Sequence, residues 1–207
     1  MEGSLELLKY LVSLLVIVDP LFAAILVAGL VESPSEVRRI ARRASLTVFV
    51  ASLITLLFGE AFLKAIGVSI YSIKIFGGLI LLHMAFQMLQ AHQPKTKHTE
   101  REQEAVYEKE DISVIPLGIP ILFGPGTFTT LLIFREEAKS LFTFVQLAVA
   151  VFLVVAIIYI TLLNSFKLAQ RLGPTGVGVM TRIFGLFTGA LGSQFVVDGI
   201  KHLWVGV

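Results

Sequence analysis

The chain has 207 residues, 56% of them hydrophobic and 15% charged, with a formal net charge of +2 and no cysteine. A soluble domain is usually about 45–50% apolar and about 25% charged, so this composition excludes an ordinary water-soluble globule. The small charge gives no footing for nucleic-acid binding, and the absence of cysteine excludes disulfides and thiolate metal sites.

The first predicted helix covers Leu5–Val31, and within it Leu11–Val31 carries Asp19 as its one charge. A helix needs roughly 20 apolar residues to cross a bilayer core of about 30 Å, and this run suffices. Glu2 and Glu6 stand where a cleaved leader would carry positive charge, and no small-x-small cleavage site follows. Inside the run, "VIVDPLFAAI" (Val16–Ile25) sets an acid beside a helix breaker. Proline removes a backbone donor and clashes with the preceding turn, at about 3 kcal/mol. Backbone groups freed in lipid must find protein, water or ligand. A lone proline kink can simply shape packing, but an intramembrane carboxylate points to function. Asp19-Pro20 has the form of an N-cap followed by the first helical residue, so Asp19 can cap its own half-helix or accept a hydrogen bond from a substrate ammonium.

The second helix, Ile40–Leu63, is introduced by "SPSEVRRIARRAS", in which Ser33, Pro34 and Glu36 stand at the N-cap, first and third helical positions. Arg38, Arg39, Arg42 and Arg43 then lie at the headgroups, as anchors and orientation signals. The third helix runs Ser69–Gln90. A polar stretch, "HQPKTKHTEREQEAVYEKED" (His92–Asp111), follows with six acids and four Lys/Arg. It reads as a solvated linker that divides the chain into 1–91, 92–111 and 112–207.

The fourth helix, Ile112–Phe134, has no charge and contains "LFGPGTFTTL" (Leu122–Leu131). Gly124, Pro125 and Gly126 make continuous helix poor there. The half-helix beyond, with hydroxyls at Thr127, Thr129 and Thr130, would present unpaired N–H groups and a positive dipole end to an anion such as a carboxylate. The fifth helix is Leu141–Phe166 and the sixth Val177–Leu203.

"KIFGG" (Lys74–Gly78) and "RIFGL" (Arg182–Leu186) match at an offset of 108, and Pro20 matches Pro125 at an offset of 105. Since three crossings per half is odd, the second half enters the membrane the other way up. The fold expected is all-α: six transmembrane helices in two inverted three-helix repeats, with helices 1 and 4 broken. Basic residues number ten on the side of the long linker and five on the other. The positive-inside rule thus puts both termini outside and loop 92–111 in the cytoplasm of a cell membrane.

The remaining polar groups leave choices open. Lys74 and Arg182 either snorkel from span ends or enter the cavity. His83 is either a hydrogen-bonded packing residue or a proton relay, and Gln194 shares a helix face with Asp198. "GLFTGALG" (Gly185–Gly192) reads as close helix packing. No metal-binding, nucleophilic or phosphate-cradling array is present, so no enzyme activity, metal or cofactor is expected.

The stretches "VDPLFAAIL" (Val18–Leu26), "KIFGGLILLHMAFQML" (Lys74–Leu89), "DISVIPLGIPILFGPGTFTTLL" (Asp111–Leu132) and "RIFGLFTGALGSQFVVDGIK" (Arg182–Lys201) resemble the MarC family of six-span membrane proteins. That family includes the SnatA small neutral amino acid transporters. Members often show Asn-Pro at the first break, where this chain has Asp19-Pro20. The resemblance implies a secondary transporter of small neutral amino acids of the glycine and alanine class. The Gly124–Thr130 segment would meet the substrate carboxylate, Asp19 its ammonium, and Ala23 and Gly126 would leave room for a small side chain. Asp19, which can load and release a proton, favours proton over sodium coupling, with His83 and Gln194 as candidate relays. A passive small-solute channel and a non-transporting scaffold are the alternatives. Oligomeric state is not legible.

Overall fold

In the computed structural model, residues 2–31, 33–90 and 117–205 are described, and among them every regular element is helical. The linker at 92–111, the start of the fourth predicted span and Glu32 lie outside the described residues.

The helices begin where the sequence supplies caps. α1 (Glu2–Val18) and α2 (Pro20–Leu30) meet at Asp19. α3 (Pro34–Ala65) starts from Ser33, whose hydroxyl accepts from the Glu36 amide at 3.3 Å. α4 (Ile70–Leu89) starts from Ser69, which accepts from the Tyr71 amide at 3.2 Å. A π-helical segment, Leu117–Leu122, precedes α5 (Pro125–Glu137). α6 (Leu141–Leu163) opens with a capping box between Ser140 and Thr143. Each cap satisfies a first-turn amide that the helix cannot.

α7 (Ser165–Val205) is two helical stretches joined at Gly173, whose φ of 60° and ψ of 176° are not helical and which a β-carbon would disfavour. The stretch beyond this break contains the membrane-length span Thr175–Trp204, in agreement with the expected sixth helix, and Lys167 and Arg171 lie in the short stretch before it.

Among the described residues, five stretches are long and apolar enough to cross a membrane: Leu5–Leu30, Pro34–Ala65, Ile70–Leu89, Leu141–Leu163 and Thr175–Trp204. The fourth expected crossing, whose start lies outside the described residues, is not among these five. α5 has 13 residues, about 20 Å at 1.5 Å each, and reaches only part way across. The chain is an integral, multi-pass membrane protein in architecture, with large apolar side chains such as Phe58, Phe76, Phe86 and Phe152 exposed on its flanks.

The broken elements occupy the centre. The Leu5–Leu30 span is more than half-buried, whereas the other four are buried over about a third of their length. α3 packs on α6 to one side and α4 on α7 to the other, with α1, α2 and α5 between them. The α4–α7 pair is drawn together by glycine. A β-carbon at Gly78 would lie 2.6 Å from the Gly192 carbonyl oxygen, and one at Gly192 2.8 Å from that of Gly78. Gly185 sits against Met88 and Gly199 against the Tyr71 carbonyl. The small-residue stripe of the sixth span therefore does pack closely, and α4 is its partner.

Candidate functional site: two adjoining helix breaks

At the first break the backbone turns through Asp19, with φ 45° and ψ 67°. It is the one non-glycine residue at positive φ among those described, a conformation that short polar side chains tolerate best. Its carboxylate Oδ1 accepts from the Phe22 amide at 3.2 Å, and Pro20 fills the first helical position. Asp19 is buried, as are Pro20 and Ala23. Of the two roles open to Asp19, capping its own half-helix is the one seen.

The second break lacks such a cap. Phe123 donates its amide to the Gly118 carbonyl at 2.9 Å, closing the π segment, and Gly124 is extended at the N-cap with no side chain to accept from the first turn of α5. Pro125 takes the first helical position and is exposed, while Gly124 and Gly126 are buried. The Thr127 hydroxyl donates to the Leu122 carbonyl at 3.2 Å, tying the helix to the end of the π-helical segment before it. Thr129 donates to the carbonyls of Pro125 (2.9 Å) and Gly126 (3.2 Å). Thr130 Oγ1 is buried with no hydrogen-bond partner, a costly arrangement for a hydroxyl.

The two breaks adjoin. A β-carbon at Gly126 would lie 3.5 Å from Ile17 Cγ2, and 2.9 Å from Leu81 Cδ2 and 3.0 Å from Met84 Sδ on α4. α2 and α5 therefore both start in the interior, where helix amino ends carry partial positive charge. That of α2 faces the Asp19 carboxylate, whereas that of α5 has no side-chain cap among the described residues.

Beside the breaks is a narrow cleft of about 10 Å³, about the space one water requires. It is walled by Leu14 and Val18 of α1, Val48 and Ser52 of α3, Thr127 and Leu131 of α5, and valines of α6. Ser52 and Thr127 are its polar residues. Of the residues singled out in the sequence, Thr127 lines the cleft, and Asp19, Pro20, Ala23, Gly124, Pro125, Gly126, Thr129 and Thr130 belong to the surrounding breaks. Ser52 was missed. Its signal was available: Ser45, Ser52 and Thr55 are the buried hydroxyls of α3, and their spacing gives α3 one polar stripe.

His83 and Gln194 stand apart from the breaks. His83 is exposed on α4, with its Nε2 2.8 Å from Gln87 Nε2. Gln194 is exposed on α7 and donates to Asp198 Oδ1 at 2.8 Å. Lys74 is buried and Arg182 exposed, although they are counterparts in the sequence repeat.

The sequence matches the family described as "MarC family integral membrane protein" over residues 5–204. It is 34% identical to a UPF0056 membrane protein of Aquifex aeolicus, over 98% of this chain and 95% of the relative. It is 33% identical to one of Methanocaldococcus jannaschii, over 91% and 93%, and 30% identical to the UPF0056 membrane protein YhcE of Escherichia coli, over 79% and 76%. No solved structure matches the chain. With its central pair of interrupted helices and this likeness over nearly its full length, the chain belongs to the MarC family of integral membrane proteins.

Proposed function

We propose that the protein is a secondary transporter of small neutral amino acids, of the glycine and alanine class, coupled to protons in preference to sodium. The adjoining helix breaks carry this reading, because a zwitterion needs opposite charges within a few ångströms. The uncapped amino end of α5 suits a carboxylate, and the buried Asp19 carboxylate suits an ammonium or a proton. The inverted three-helix repeat fits the packing of corresponding members, α3 on α6 and α4 on α7. The narrow cleft argues for a carrier in a closed state over an open channel. In the cell membrane the termini would face outward and the linker at 92–111 the cytoplasm.

The test is counterflow of labelled glycine in proteoliposomes under an imposed pH gradient. Saturable, trans-stimulated uptake that falls when the gradient is collapsed, and that loses this dependence in Asp19→Asn, is the expected result. Uptake insensitive to the gradient in both proteins removes proton coupling. No saturable uptake removes the carrier.

A non-transporting scaffold is the second reading, favoured by the tight packing around the breaks. A panel of amino acids measured for thermal stabilisation separates the two: a carrier gains stability in glycine or alanine, and a scaffold in none.

A further inference from the structure

α5 runs from the second break to the end of the protein that carries the N-terminus, and its last turn is fastened to three other helices. Glu137 bridges two ammonium groups, Lys9 Nζ of α1 at 3.0 Å from Oε2 and Lys74 Nζ of α4 at 3.1 Å from Oε1. The Lys74 side chain is only 10% exposed. Arg135 donates from Nε to the Leu56 carbonyl of α3 at 3.2 Å and lies 3.6 Å from Glu60. One turn nearer the breaks, the rings of Tyr10 and Phe134 are 5.0 Å apart, and Phe195 of α7 meets Phe134 edge-on at 6.2 Å. All three rings are buried. Leu14 and Leu131, the next residues down on α1 and α5, line the cleft.

We propose that Glu137 is the latch of a gate: bound to Lys9 and Lys74 over a plug of Tyr10, Phe134 and Phe195, it closes the cleft toward the N-terminal end, and α5 is the element that swings. The assignment rests on the transport reading, since a gate implies a path. Its physical basis is the charge on Lys74. A buried ion that loses its partner is strongly destabilising, so the closed form depends on the Glu137 side chain standing against Lys74. When α5 tilts away, Lys74 gains solvent and the rings separate, opening the cleft. The closed and open forms are thus two ways of neutralising one ammonium group.

The absence of cysteine makes the gate directly measurable. Single reporters, Leu14→Cys in the cleft and Val27→Cys in the buried part of α2 beyond the breaks, are labelled with a charged, membrane-impermeant maleimide in nanodiscs, where both faces are open. Glu137→Gln is expected to speed labelling of Leu14→Cys about tenfold, equivalent to ~1.4 kcal/mol, and to leave Val27→Cys unchanged. Lys9→Gln, a change on a half-exposed side chain, should give a smaller rise of the same kind and carries the test if Glu137→Gln does not fold. Unchanged labelling of Leu14→Cys, or an equal rise at Val27→Cys, overturns the gate. Labelling requires no substrate, so a protein that gates without moving glycine overturns the transport reading and leaves the latch standing.

Discussion

Thr129 stands over Gly77 so closely that a β-carbon at Gly77 would lie 2.7 Å from Thr129 Cβ and 2.8 Å from its hydroxyl. That hydroxyl is bound to the Pro125 and Gly126 carbonyls, so the side chain cannot rotate away without leaving a buried group unpaired. We expect Gly77→Ala to destabilise by about 1–3 kcal/mol, read as a lower unfolding midpoint in detergent. Thr129→Gly in the same chain removes that Cβ, so the double variant should lose less than the two single losses added together, because contacting residues do not contribute additively. An additive double mutant would mean that the contact is not the cause.

Glycines elsewhere on α7 divide into two kinds. At Gly192 a new methyl group would meet the Gly78 carbonyl, which is backbone and cannot yield, whereas at Gly178 nothing lies within 4 Å. Gly192→Ala should lower thermal stability. Gly178→Ala should be neutral or stabilising by up to about 1 kcal/mol, since alanine is the better helix former. Equal losses at the two positions would contradict the α4–α7 packing.

Asp19 joins an unusual backbone conformation to a cap. Asn keeps a cap oxygen and tolerates positive φ, so Asp19→Asn should retain its fold within about 0.5 kcal/mol. Ala does neither, and Asp19→Ala should cost about 1–3 kcal/mol from the lost cap and the strained turn together. Unfolding followed by circular dichroism compares them. If both variants were equally stable, the cap at Phe22 would contribute nothing.

In the cleft, Val154→Leu adds one methylene to a wall that faces Ser52 and Thr127. Under the proposed function this should reduce alanine uptake more than glycine uptake, by roughly 10-fold for the strength of one methylene contact. Competition of the two amino acids in proteoliposomes gives the ratio directly. An unchanged ratio would place the substrate side chain elsewhere.

The features legible in the sequence are those written in a few adjacent residues. Asp19-Pro20 and Gly124-Pro125-Gly126 break helices for local reasons, and Ser33, Ser69 and Ser140 cap them within one turn, so their positions follow from backbone chemistry alone. Lys74 was ambiguous because its environment is set by Glu137 across the fold, and its sequence counterpart Arg182 is exposed instead. The glycines of the last span showed that something packs closely, but only the fold supplies α4 as the partner. Ser52 was passed over because one hydroxyl in an apolar run carries little weight until its neighbours on the same stripe are seen to be buried too. The start of the last span near Val177 was legible because the break before it falls at Gly173, where φ is positive, while residues 165–172 form a short helical stretch of their own after the turn at Asn164.

The seam between Gly78 and Gly192 joins segments made early and late in synthesis. While the ribosome is still producing the second half, the notched side of α4 has no mate, and the bundle cannot shut until the final span arrives. Nascent chains arrested before Gly185 should accordingly be prey to membrane proteases, and the completed one resistant.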